Sequence, residues 1–111
     1  EQAFAQIEDI SMMPIHNERE RSNCWLTCIT IDKESKINPL DIEVALEKEN
    51  IEARPIWKPM HMQPIFAECD YIDNGGAAQQ LFEQGVCLPS DTKMTKAALE
   101  RVVGIVKRLW K

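Results

Sequence analysis

The hydrophobic positions of this chain fall into short runs of two periods, and their order sketches an architecture. Asn23 to Ile31 (NCWLTCITI) is nearly continuous in apolar and β-branched residues, which reads as a strand covered on both faces. After a polar loop, Asp32 to Lys36, the period changes. Ile42, Ala45 and Leu46 recur at helical spacing behind Asn38, a good N-cap, and Pro39, which suits the first helical position. Asp41 and Glu43 favour the positive end of that helix, and Asn50 is suited to a left-handed cap at its end. Ile51 to Trp57 alternates imperfectly as a second strand, which Pro55 confines to an edge or an irregular end.

The rest of the chain continues in the same way. Pro64 to Cys69 reads as a helical turn with Ile65 and Phe66 inward, and Asp70 to Gly76 as a loop marked by Asn74-Gly75. Ala77 to Gln84 reads as a short helix with Ala78, Leu81 and Phe82 inward and Gly85 past its end. Val86 to Leu88 is a brief third strand stopped by Pro89. Thr95 caps a last helix whose stripe is Leu99, Val102, Val103, Val106 and Leu109 or Trp110, with Lys107, Arg108 and Lys111 at its negative end. Residues 1–22 are the least regular. Phe4, Ile7 and Ile10 mark a short amphipathic turn, Met12 to Ile15 an extended approach, and His16 to Arg21 a charged connector. The expected fold is α/β (an α+β sandwich): a small three-stranded sheet with helices packed on it.

Composition changes this picture mainly by exclusion. A chain of 111 residues makes one domain. Thirteen basic against eighteen acidic residues give a net charge of −5, the wrong sign for a general nucleic-acid binder. No apolar run approaches the ~20 residues that cross a bilayer, and no signal-peptide pattern opens the sequence. The start EQAFAQIEDI, without an initiator Met, reads as an excerpt or a processed product. Cys24, Cys28, Cys69 and Cys87 form no CxxC pair and match no zinc spacing, so all four read as free thiols of a reducing, cytoplasmic compartment.

Candidate chemistry gathers in IEARPIWKPMHMQPIF, Ile51 to Phe66. Three prolines there stiffen a stretch bearing Arg54, Trp57, Lys58, His61 and Gln63. Arg54, Lys58 and His61 offer charge-assisted hydrogen bonds to phosphate or carboxylate, and Trp57 a stacking wall. Taken singly, each has a plain structural explanation, as a snorkelling cation or a core aromatic; their clustering favours recognition. The sequence holds no GxxxxGK[ST] or GxGxxG phosphate loop and no convincing Ser/His/Asp set. His61 between Met60 and Met62 has no further ligand to make a metal site.

Three blocks, RSNCWLTCITID (Arg21–Asp32), ARPIWKPMHMQPIF (Ala53–Phe66) and LFEQGVCLPSDTKMTKAALERV (Leu81–Val102), closely resemble the C-terminal domain of the DegT/DnrJ/EryC1/StrS family. These are pyridoxal-phosphate-dependent sugar aminotransferases of fold type I. The resemblance implies residues 1–22 as a connector from an N-terminal domain and 23–111 as the C-terminal domain. It implies a homodimeric parent that moves an amino group from an amino acid, usually glutamate, onto a nucleotide-linked keto-deoxy sugar for cell-surface glycans. The cofactor lysine and most of the cofactor pocket would lie in the N-terminal domain, so the resemblance implies no catalytic residue and no bound cofactor within these 111 residues. By position in the family's motifs, His61 and Lys58 become candidates for phosphate or sugar contacts, Trp57 a wall and Arg54 a supporting charge. Asn23 falls near the same active-site mouth, beside Cys24 where a basic or bulkier residue is common. A freestanding α/β small-ligand module and an interaction domain with Trp57, Met60 and Met62 as its patch are the competing readings.

Overall fold

In the computed structural model, which describes residues 2–14 and 17–111, four short strands form one antiparallel sheet. The elements run β1 (Ile10–Met12), β2 (Thr27–Ile31), α1 (Pro39–Glu47), β3 (Arg54–Pro55), α2 (Ala77–Gln84), β4 (Gly85–Leu88) and α3 (Lys96–Arg108). The spatial order is β1-β2-β4-β3. The α/β class is therefore as expected, with four strands where three were expected. The added strand is β1, which pairs Ile10 with Ile31 and Met12 with Ile29. Three residues are too few to show a period, so the segment is legible only through its partner.

Residues 29 and 31 of β2, 86 and 88 of β4 and Ile10 of β1 alternate onto one face and pack against Ile42 and Leu46 of α1 and Val102, Ile105 and Val106 of α3. Phe4, in a 3-10 turn at Gln2–Phe4, joins the same core. Ile105 was not among the expected stripe, whereas Leu99, which was, is half exposed. His16 lies outside the described residues.

Local signals explain the helices. Asn38 Oδ1 accepts the Asp41 N–H at 3.2 Å while Asp41 Oδ2 accepts the Asn38 N–H at 2.9 Å, a reciprocal cap on α1. Asn50 takes the left-handed φ of +56°, which lets the Ile51 N–H reach the Leu46 carbonyl at 3.0 Å and close the helix. Thr95 caps α3 by accepting the Ala98 N–H. α2 buries none of its side chains fully, and Ala78 and Leu81 stand exposed rather than inward.

Two strands are shorter than expected. β2 begins at Thr27 because residues 22–25 satisfy their backbone locally: Ser22 Oγ accepts the Cys24 N–H at 3.0 Å and Asn23 Oδ1 the Trp25 N–H at 3.1 Å. β3 is reduced to Arg54–Pro55, on the sheet edge where Pro55 needs no N–H. Gly85 belongs to β4 with φ −103° and is no left-handed cap.

Asp9, just before β1, ties both ends of the chain together. Its Oδ2 accepts the Ser35 hydroxyl at 2.6 Å and the Trp110 indole N–H at 2.9 Å. The Ser35 donor first, and Trp110 after it, hold the Asp9 carboxyl below the usual carboxylate range. A depressed folded value contributes stability above the unfolded value, about 4, and loses it as pH falls through the folded value. Thermal melts of wild type and Asp9→Asn should therefore show wild type ahead at neutral pH, with the gap closing in acid. A gap independent of pH would show that the charge of Asp9 contributes nothing.

Candidate functional site

The chain leaves β3 at Pro55, lays Ile56 beside Gly85 of β4, and enters an exposed turn. Two 3-10 turns follow, Met60–Met62 and Pro64–Phe66. Pro59 stands before the first at φ −56°, and Pro64 opens the second. The Gln63 side chain closes the loop on itself by donating to the Lys58 carbonyl at 3.1 Å. Local bonds and proline rings therefore hold the turn, and its large side chains face out: Trp57 is 65%, Met60 60% and Ile65 79% exposed. Ile65 had been expected inward.

The structure brings some of the sequence candidates to partners that the sequence did not indicate. Trp57 packs on Trp25, ring centroids 6.1 Å apart and planes tilted by 41°. His61 stacks on Tyr71 at 3.8 Å and 14°. The Tyr71 hydroxyl in turn donates to Asp73 Oδ1 at 3.3 Å. Partial burial, and after it the Asp73 carboxylate, push the Tyr71 phenol up, so it stays neutral and able to donate at physiological pH.

Lys58 is exposed and makes no ion pair with the described residues. Arg54 differs: its guanidinium is engaged by Glu52, two residues back, just before the edge strand. Asn23 spends its side-chain oxygen on the Trp25 N–H, and Cys24 between them has φ +54°, a strained value for a non-glycine residue. Trp57 and Asn23 thus meet at Trp25, Lys58 stands exposed beside Trp57 in the chain, His61 is half-buried against Tyr71, and Arg54 is engaged by Glu52.

Trp25 also borders an open groove of about 1260 Å³, with Phe4, Met12, Asn23, Leu99 and Val103 among its lining residues. The groove and the Trp25–Trp57 pair are therefore continuous through one side chain. Trp25 and Tyr71 are the residues that sequence reasoning missed. Trp25 is two positions from Asn23, but its contact with Trp57 crosses the fold.

Flat aromatic faces, one unpaired ammonium, an imidazole and a neutral phenol make a surface suited to binding a ring and an anion. No charged or polar residue is buried, and no group of three or more His, Cys, Asp or Glu gathers among the described residues. Fully buried side chains are all aliphatic. An aldehyde cofactor bound through a lysine needs a sheltered amine and fixed phosphate donors. The solvent-facing Lys58 does not meet that requirement, so these residues alone do not form such a pocket.

With this geometry in place, comparison with known proteins defines the class. The sequence profile of the DegT/DnrJ/EryC1/StrS aminotransferase family matches residues 1–107, and the chain belongs to that family. A relative from Bacillus subtilis (strain 168), named as a pyridoxal phosphate-dependent aminotransferase, EpsN, is 38% identical over 97% of this chain and 28% of its own length.

Solved structures agree on the fold. A sugar aminotransferase, Spr1654 from Streptococcus pneumoniae in its PLP form, superposes with a TM-score of 0.80 at 20% identity, over 97% of this chain and 28% of that one. Helicobacter pylori PseC, an aminotransferase involved in the biosynthesis of pseudoaminic acid, gives 0.80 at 14% identity, over 96% of this chain and 29% of that one. The chain thus spans less than a third of the length of these relatives.

Proposed function

We propose that the chain is the C-terminal domain of a pyridoxal-phosphate-dependent sugar aminotransferase and forms the substrate-facing wall of its active-site mouth. In this reading residues 23–111 are the domain proper, and residues 1–22 lead into it from a preceding domain, with Phe4 and Ile10 anchored in its core. The preceding domain binds the cofactor, which supplies the electron sink for amino transfer. The present residues bind and orient: Lys58 and His61 meet the phosphates or sugar, Trp57 backed by Trp25 walls the ring, and Asn23 lines the adjoining groove. Arg54 acts on the site only if Glu52 releases it. The substrate is a nucleotide-linked keto-deoxy sugar, the amino donor glutamate, and the setting cytoplasmic synthesis of cell-surface polysaccharide by a homodimer.

The observation that carries the reading is the proline-held turn that leaves Trp57 and Lys58 exposed and holds His61 against Tyr71, on a chain of this family. The apolar side chains left exposed around it (Met60, Ile65, Ile72 and Leu81) support an apposed domain, because a freestanding module would cover or replace them. Among the described residues no helix is long and apolar enough to cross a membrane.

The test is steady-state kinetics of the longer enzyme. Lys58→Ala and His61→Ala should each raise KM for the nucleotide sugar about tenfold or more, the loss of one charge-assisted hydrogen bond. KM for the amino donor should change little. Unchanged KM for the sugar in both variants would remove the wall from the site.

A further inference from the structure

The two central strands carry a feature that recognition by the turn does not use. Cys28 of β2 and Cys87 of β4 are direct partners in the antiparallel register, 59 positions apart in sequence, and their sulfurs lie 3.5 Å apart. Alternation turns both away from the face that holds Ile29 and Val86. Directly opposed residues of an antiparallel pair have Cα atoms about 4.5 or 5.5 Å apart, inside the range of about 4.4–6.8 Å that a disulfide spans. Bridging this pair therefore needs side-chain rotation and no strand movement. Cys28 is half-buried and within reach of solvent, whereas Cys87 is buried. Cys24 and Cys69 are exposed on loops and stand apart from this arrangement.

We propose that Cys28 and Cys87 are a redox-modification site: a dithiol that a small disulfide of the glutathione class oxidises reversibly to a cross-strand disulfide. The Cys28 thiolate attacks one sulfur of the small disulfide, giving a mixed disulfide and releasing one small thiol. Cys87, giving its proton to solvent, then attacks the Cys28 sulfur. The Cys28–Cys87 bond forms and the second small thiol leaves. Two protein thiols are oxidised and one small disulfide is reduced to two thiols.

The order follows from access, since only Cys28 can meet a bulky oxidant. Burial first, and contact with Cys28 after it, push the Cys87 thiol up to about 11, which disfavours its attack on external partners. Its attack on Cys28 needs no encounter, and close placement offsets the small thiolate fraction. The bridge would join the ends of the segment that carries α1, β3 and the Trp57–His61 turn.

The experiment incubates the chain with mixtures of reduced and oxidised glutathione, quenches with acid, blocks remaining thiols and reads intact mass and linked peptides. Compared with the blocked reduced chain, the expected product lacks the blocking groups of Cys28 and Cys87, keeps no glutathione at Cys28, yields a Cys28–Cys87 linked peptide and reverts with dithiothreitol. Its melting temperature should rise by several degrees. Cys87→Ser should instead retain glutathione on Cys28. Glutathione retained on Cys28 while Cys87 is present would overturn the proposal. So would a Cys28–Cys87 pair left as thiols while Cys24 and Cys69 react.

Discussion

Leu46→Ala is expected to lower the unfolding free energy of the chain by about 3 kcal/mol and its melting temperature by more than ~10 °C. Leu46, on α1, has no exposed surface and belongs to the core cluster with Ile29 of β2, Val86 of β4 and Val106 of α3. Truncation removes apolar contacts and leaves a cavity that both layers would have to collapse to fill. A domain of this size holds about 5–15 kcal/mol in total, so the loss is a large share of it. The backbone role of Leu46, accepting the Ile51 N–H that ends α1, survives the substitution. Val44→Ala is the control: on the same helix but more than a third exposed, it should cost under about 0.5 kcal/mol. Urea unfolding with equal slopes for the two variants would give the comparison directly. Equal midpoints would mean that the sheet–helix core is not where stability resides.

The signals that proved legible in the sequence were those a few residues carry among themselves. Asn38, Pro39 and Asp41 announce the start of α1, Asn50 its end, and Thr95 the start of α3, because a cap is a local exchange of hydrogen bonds. Pro55 announced an edge strand for the same reason. The apolar run at residues 23–26 misled because Ser22 and Asn23 offer the backbone a local alternative to the ladder. β1 was hidden by its length, and four strands became three.

The candidate site divides along the same line. Its proline-held turn was readable. The tilted packing of Trp25 on Trp57 was not, since the two meet only through the fold, and neither was the stacking of Tyr71 on His61 across the loop between β3 and α2. The engagement of Arg54 by Glu52 was within reach of sequence reasoning: residues two apart on the expected strand share a side. Cys28 and Cys87 needed the register of β2 against β4, which no spacing within the chain reveals.

Gly85→Ala should destabilise the chain by about 2–3 kcal/mol, the cost of overpacking a tight contact. Its position past the end of α2 suggests a helix-ending glycine, yet its φ is −103°, which alanine adopts freely. What alanine lacks is room. A methyl group there would overlap the Ile56 side chain and come within 2.5 Å of the Leu81 carbonyl oxygen. Ile56 can rotate, but the carbonyl belongs to the last turn of α2 and can yield only by moving backbone. Ile56 is also the residue before Trp57, so the displacement should pass into the Trp25–Trp57 pair and change tryptophan fluorescence in the folded state. Gly104 supplies the contrast. It lies inside α3 with nothing within 4 Å of an added methyl, so Gly104→Ala should stabilise by about 0.5–1 kcal/mol through helix propensity and leave the tryptophan signal alone. If Gly85→Ala melted with wild type and kept its fluorescence, the close approach of α2, β4 and Ile56 would not be what places the turn.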